Sequence, residues 1–154
     1  MVTADMAVSI VVIAISLTLF VYWFRYTCLL ILSAKTSRDY AHQVATANQL
    51  RFLETRDQLL ADPPPESLDG LHEALRRDYL LLTYLMRYAA GRQDPGHSLE
   101  KKILTVDYYL LMVWYVLMRR LSVERSRQAL LEVASIVHYL ANAMGERLSF
   151  SARV

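Results

Sequence analysis

The feature that most constrains this chain is an uninterrupted apolar run near its N-terminus. From Ala7 to Phe24 the sequence reads AVSIVVIAISLTLFVYWF, with no charged residue, no glycine and no proline. A run of about 18 apolar residues is long enough to predict a membrane-spanning helix. Because backbone N–H and C=O groups in lipid must pair within the segment, we expect a helix despite the many β-branched residues.

The end of this run has the composition of a membrane–water interface. Tyr22, Trp23 and Tyr26 are amphipathic aromatic residues of the kind that gather at the headgroup level. Arg25 lies among them, and its long side chain can extend toward water while its stem stays in an apolar layer. Apolar residues continue through Leu32. The sequence therefore predicts a membrane anchor over residues 1–34 and a second domain over residues 35–154.

Two other interpretations of the run are a buried helix of a soluble protein and a cleaved signal peptide. The preceding residues, MVTADM, contain no Lys or Arg, and the run exceeds an ordinary signal-peptide core, so the anchor is favoured. The only charged side chain before the run is Asp5, whereas Arg25, Lys35 and Arg38 follow Phe24. Positive residues stay in the cytoplasm. We expect the N-terminus outside and the second domain in the cytoplasm, at the inner membrane if the organism is bacterial.

The second domain is predicted to be helical. The chain contains only 4 Gly and 4 Pro in 154 residues, which leaves little punctuation for strands and turns. Its formal net charge of +2 is too small to indicate a nucleic-acid partner. Apolar residues recur at spacings of three and four along almost the whole segment, as on one face of a helix.

Four helices, here called A to D, are expected in this domain. Helix A covers about Ser37 to Leu60 and is ended by Asp62-Pro63-Pro64-Pro65, since proline breaks a helix. Helix B ends near Ala90, helix C follows Ser98, and a break at Leu121-Ser122 separates helix C from helix D, whose end is marked by Gly145. The expected buried positions are Tyr40, Val44, Ala47, Leu50, Leu53 and Leu60 on A; Leu68, Leu71, Leu75, Tyr79, Leu82, Met86 and Ala89 on B; Leu99, Ile103, Val106, Leu110, Val113 and Leu117 on C; and Val123, Leu130, Ala134, Val137, Ala141, Met144 and Leu148 on D. The fold class is thus all-α, with a single N-terminal transmembrane helix followed by an up-down bundle of about four helices.

The segment from Tyr108 to Met118 is the strongest anomaly, because it is apolar on every side. Such a helix is either central in its bundle or covered by something else. Three interpretations stay open for residues 103–118: a central core helix, a surface for another subunit, or a second membrane-embedded segment. The clean apolar run is only about 12 residues, short of the roughly 20 that a span needs. On a partner surface, the contacts are expected from Tyr108, Trp114, Tyr115 and Met118.

A basic stretch follows this segment. Arg119 and Arg120 can complement the C-terminal end of helix C. Together with Arg125 and Arg127, they are also candidates for contact with anionic lipid headgroups or with an acidic partner.

No motif for catalysis, metal binding or nucleotide binding is evident. The nearest approach to a carboxylate–histidine metal pair is Asp69-Gly70-Leu71-His72, a single weak match on one helix. The four histidines are scattered along the chain. We therefore predict no cofactor, no metal site and no enzymatic activity.

These features favour a non-catalytic, membrane-anchored helical subunit that assembles, anchors or stabilises a larger membrane protein complex. Its partners would be other subunits of that complex and the lipid bilayer, and a homo-oligomer is compatible with the pattern. One alternative is a membrane-bound sensor or signalling bundle that acts as a homodimer. Another is a small cofactor-binding bundle, such as an electron carrier.

Overall fold

The computed structural model describes residues 2–33, 39–62, 67–89 and 96–151. Within them the chain forms helices only, which confirms the predicted all-α fold. The chain divides into two compact units, Met1–Ala34 and Lys35–Val154. The first contains α1 (Val2–Ser33), and the second contains α2 (Ala41–Asn48), α3 (Phe52–Leu60), α4 (Asp69–Ala89), α5 (Gly96–Met118) and α6 (Val123–Ser151).

Helix α1 is a single continuous helix of 32 residues. Its stretch Met6–Ser33 is long and apolar enough to cross a membrane, and it is the one such helix among the described residues. The Thr18 hydroxyl donates to the Ala14 carbonyl oxygen at 2.8 Å, as expected for a polar side chain in an apolar environment. Trp23 lies edge-on to Tyr22 and Tyr26, with ring centroids 6.1 and 6.0 Å away.

Helix α6 is the centre of the bundle. It packs against α2, α3, α4 and α5. Most of the predicted positions on helix D are buried in it. The apolar side chains of α6 pack against all four of these helices, so α6, rather than helix C, occupies the centre of the bundle. Its buried side chains include Leu130, Val133, Ala134, Val137, Ala141 and Met144.

The prediction of one continuous helix A was wrong, because the chain turns after Asn48. Gln49 adopts a left-handed conformation, with φ at 53°. The N–H groups of Gln49 and Leu50 both donate to the Ala45 carbonyl oxygen, which closes α2. Helix α3 then begins at Phe52 in a new direction. The proline break predicted at Pro63–Pro65 lies outside the described residues.

Two buried polar side chains fix the short helices α2 and α3 on the bundle. Asn142 on α6 accepts the Ala41 N–H at 2.6 Å, at the beginning of α2. Asp78 on α4 accepts the Arg51 N–H at 2.6 Å, at the beginning of α3. Both act as N-caps supplied by another helix, satisfying backbone donors that a helix leaves unpaired. Burial raises the pKa of Asp78, and its bonds to the Arg51 and Phe52 N–H groups oppose that rise.

Gly145 lies inside α6, so the prediction that it marks the end of this helix was wrong. A Cβ atom at this position would overlap the Cβ of Tyr40. The glycine is therefore explained by a close approach of the chain just before α2, and not by helix termination. The predicted break at Leu121-Ser122 is confirmed: α5 ends at Met118 and α6 begins at Val123, with the Ser122 carbonyl accepting the Ser126 N–H at 3.1 Å.

Helix α5 buries a different face from the one expected of helix C. Its buried residues are Leu104, Asp107, Tyr108, Leu111 and Tyr115. The expected line is exposed instead, at Leu99, Val106, Leu110, Val113 and Leu117. Apart from Asp107 the buried line is also apolar, so the pattern alone did not identify it as the line that faces α6.

Candidate interaction surface

The outer side of α5 is an apolar surface that no described part of the chain covers. With about 3.6 residues per turn, the exposed apolar residues on this side of α5 span roughly 160° of the helix circumference. By their exposed fractions, they present on the order of 700 Å² of side chain, above the size of a typical patch on a soluble monomer. This outer face consists of Val106, Tyr109, Leu110, Val113, Trp114, Val116 and Leu117, each between 44% and 59% exposed.

Cations mark both ends of the outer face. Lys102 precedes Val106 by one helical turn, and Arg120 follows Val116 by one turn. Both side chains are exposed. Between them the charged residues are Asp107, which is buried, and Arg119, which pairs with Asp69. The surface is therefore a long apolar stripe with a positive charge at each end.

Aromatic stacking supports this face from beneath. The rings of Tyr79 on α4 and Tyr108 on α5 are parallel, with centroids 3.5 Å apart. Tyr109 lies edge-on to both, at 6.5 Å from Tyr79 and 5.3 Å from Tyr108. Burial raises the pKa of Tyr79 and, strongly, that of Tyr108, so both phenols stay neutral. The stack joins α4 and α5, which run antiparallel, through side chains of both helices.

A second contact joins α4 and α5 at the other end of the pair. The Tyr115 hydroxyl donates to Asp69 Oδ1 at 2.8 Å, and Arg119 Nη1 lies 3.4 Å from the same oxygen. His72 stacks on the Tyr115 ring at 4.6 Å. Burial, followed by the Asp69 contact, raises the pKa of Tyr115 to about 12, and burial lowers that of His72. The Tyr115 phenol is neutral, and its hydroxyl is already hydrogen-bonded to Asp69. The cluster therefore has a structural role, which is to join α4 to α5.

The four residues expected on a partner surface are separated by the structure. Tyr108 and Tyr115 are 3% and 1% exposed, so the expectation that their rings form a surface was wrong. They carry the stacking contacts that join α5 to α4, which is why they face inward. Trp114 belongs to the outer face, and Met118 is half-buried at the end of α5. Whether these two bind a partner stays a prediction.

The basic stretch is partly neutralised inside the chain. Arg119 pairs with Asp69 at 3.4 Å, and Arg127 pairs with Glu124 at 3.8 Å. Arg120 and Arg125 are exposed. Two of the four cations are thus occupied, and contact of this group with lipid or an acidic partner stays a prediction.

No group of three potential metal ligands occurs among the residues whose positions the structure describes. His42 is exposed, and the His97 side chain lies outside the described residues. His138 lies near Phe52 and Asn142, where burial lowers its pKa. Each described histidine therefore has a separate, structural environment.

Sequence reasoning missed most of the outer face, since it placed Val106, Leu110, Val113 and Leu117 in the core. The sequence did contain a signal for this surface: helix C is apolar on two faces, and a bundle can cover only one of them. Comparison with protein-family models, with curated proteins and with solved structures found no match.

Proposed function

We propose that the protein is a membrane-anchored, non-catalytic subunit whose bundle binds a different protein through the outer face of α5. In this role it assembles, anchors or stabilises a larger membrane complex. The observation that carries the proposal is the uncovered apolar stripe from Val106 to Leu117. Helix α1 supplies the anchor, with the N-terminus outside and the bundle in the cytoplasm.

The size and composition of the stripe support a protein partner. On the order of 700 Å² is close to the roughly 800 Å² that one partner contributes to a standard interface. Trp114 and Tyr109 are of the residue types that dominate binding energy at interface centres. Uncovered, such a patch would promote aggregation, so a stable cover is expected in the cell.

The charges at the ends of the stripe favour a foreign protein over a second copy. If two α5 helices paired antiparallel, Lys102 of one copy would face Arg120 of the other. If they paired in parallel, each cation would face itself. Like charges repel in both arrangements. The chemistry therefore fits an apolar helix or groove of another subunit with acidic residues at its rim.

Purification of the tagged full-length protein in a mild detergent tests this proposal. We expect a stoichiometric foreign subunit by mass spectrometry. Leu117→Gln, on the outer face, should reduce its retention by about fivefold or more, because a buried interface leucine is replaced by an unpaired amide. Leu60→Gln is the matched control, since Leu60 is 54% exposed on α3 and Leu117 is 57% exposed.

The other outcomes separate the alternatives. A pure homo-oligomer that Leu117→Gln dissociates would contradict the foreign partner and support the homodimeric sensor. A visible absorption spectrum or a stoichiometric metal would support the cofactor-binding bundle. Equal loss of the partner in Leu117→Gln and Leu60→Gln would place the interface elsewhere.

A further inference from the structure

One end of the bundle is where the chain arrives from α1. Asp39–Ala41 lies against α6: Asn142 accepts the Ala41 N–H at 2.6 Å, and His138 Nε2 is 4.0 Å from Asp39 Oδ1. The beginning of α5 lies at the same end, because the Tyr139 hydroxyl donates to Glu100 at 2.8 Å. The last turns of α4 join them there through the antiparallel pairing of α4 and α5. We call this the entry end.

A cleft opens between α4 and α5 at the entry end. Its volume is about 380 Å³. It lies beyond the Tyr79–Tyr108 stack, between the last turns of α4 and the first turns of α5, and Leu140 of α6 also lines it. Two cations and two hydroxyl-bearing residues line it, with apolar side chains at its base. The lining residues are Thr83, Met86, Arg87, Lys101, Thr105 and Leu140.

Positive charge is concentrated around this cleft. Arg87 and Lys101 line it, and Lys102 and Arg147 are close by along their helices. None of these four makes an ion pair with an acid among the described residues. Burial lowers the pKa of Lys101, with a further contribution from Arg147. The nearby described acids are Glu100, whose carboxylate accepts the Tyr139 hydroxyl, and Glu146 on α6, so four cations face two carboxylates.

The far end of the bundle is different. There, Arg119 is bonded to Asp69 and Arg127 to Glu124, whereas Arg120 and Arg125 are exposed. Glu124 and Asn142 are separated by 18 positions on α6, or about 27 Å. Cations that are paired inside the chain attract an external anion less than unpaired ones do. The entry end differs from the far end because two of its cations, Arg87 and Lys101, line a common cleft.

We infer that the cleft at the entry end binds the phosphate headgroup of an anionic phospholipid, held by Arg87 and Lys101. Only seven residues separate Ser33 from Ala41 in sequence. They span at most about 25 Å, so an anchor in the bilayer keeps this end within reach of the headgroup layer. Tyr88 and Leu99, 72% and 64% exposed, supply apolar contacts beside the cations. This inference rests on the anchoring part of the proposed function and not on the partner at α5.

The test uses the full-length protein in a neutral detergent and native mass spectrometry. The probes are dihexanoyl phosphatidylglycerol, dihexanoyl phosphatidylcholine and inorganic phosphate. We expect the protein to prefer phosphatidylglycerol. Since each basic residue near an anionic lipid surface contributes about 1 kcal/mol, Arg87→Gln/Lys101→Gln should weaken its binding by about tenfold or more. Arg76→Gln/Arg77→Gln is the matched control, with the same change in charge on α4 in a groove that also contains Glu73 and Asp78.

Three results would overturn the inference. They are equal binding of the two lipids, equal loss of binding in the two double variants, or inorganic phosphate bound as tightly as phosphatidylglycerol, which would indicate a site for a free anion. If Arg87→Gln/Lys101→Gln does not fold, chemical modification of wild-type lysines decides. Phosphatidylglycerol should protect Lys101 more than the exposed Lys102, and equal protection would contradict a site in the cleft.

Failure here is distinguishable from failure of the proposed function. Loss of the lipid site leaves retention of a foreign subunit through Leu117 unaffected. If the protein remains soluble without detergent after cell fractionation, the anchor itself is wrong and both proposals lose their common basis. Lipid binding that is retained in Leu117→Gln separates the cleft from the outer face of α5.

Discussion

Helices α5 and α6 have similar lengths and comparable numbers of apolar residues, yet they are used differently. Helix α6 is 29 residues long and contacts every other helix of its unit. Helix α5 is 23 residues long, packs on α6 and meets α4 through aromatic rings, and half of its circumference stays uncovered. An apolar helix face thus indicates that something must cover it, but the sequence does not say whether the cover is the same chain.

The largest expected difference between the two helices concerns leucine truncation. Leu130→Ala on α6 should lower the free energy of unfolding by about 2–5 kcal/mol, because Leu130 is fully buried and its loss leaves a cavity. Leu117→Ala on α5 should change it by less than about 0.5 kcal/mol, since that side chain is 57% exposed. Denaturant titration of the full-length protein in detergent, followed by circular dichroism, measures both values.

Equal costs for these two variants would break the comparison. That result would mean that the outer face of α5 is buried in the isolated protein, as in a stable homo-oligomer. Sedimentation of the same samples would then identify the oligomer.

A glycine pair provides a smaller but sharper contrast. Gly145→Ala should cost about 1–3 kcal/mol, because the added methyl group overlaps Tyr40 where α6 is covered by the beginning of α2. Gly70→Ala, on α4, meets no atom within 4 Å. It should be neutral or stabilise the bundle by up to about 1 kcal/mol, as alanine favours the helix. Thermal unfolding of the two variants beside the wild type distinguishes them, and a stable Gly145→Ala protein would refute the tight contact.

Most of the buried positions on α4 and α6 could be predicted from the spacing of apolar residues, although Val123 and Leu148 on α6 are exposed. Leu75, Tyr79, Leu82 and Met86 are buried on α4 as the three–four spacing indicated. The same reasoning failed on α5, where the line through Leu104, Tyr108 and Leu111 is buried although it also contains Asp107. What determined the outcome was the pairing of Tyr108 with Tyr79, a contact between residues 29 positions apart that no local pattern contains.

The division of helix A into α2 and α3 also could not be predicted from the spacing of apolar residues. Helix α2 ends at a left-handed Gln49, a residue without a strong turn preference. The partners that stabilise the break are distant in sequence: Asp78 caps α3, and Asn142 caps α2. The cleft at the entry end could not be predicted either, because its lining residues come from α4, α5 and α6.

The smallest expected effect is a pH dependence on the covered side of α6. Burial lowers the pKa of His138 below the ordinary value of 6.5, and nearby Asp39 opposes this only in part. Its contribution to stability is therefore present above pH 6.5 and is lost as the pH falls through the lowered pKa. Between about pH 8 and about pH 5, His138→Gln should reduce the loss of unfolding free energy seen in the wild type.

The effect stays small because the His138 side chain is 27% exposed, so water partly solvates its charged form. His42→Gln, at an exposed position on α2, is the control for the histidine-to-glutamine substitution itself. If the unfolding free energies of the wild type and His138→Gln change with pH in parallel, protonation of His138 does not contribute to the pH dependence of stability.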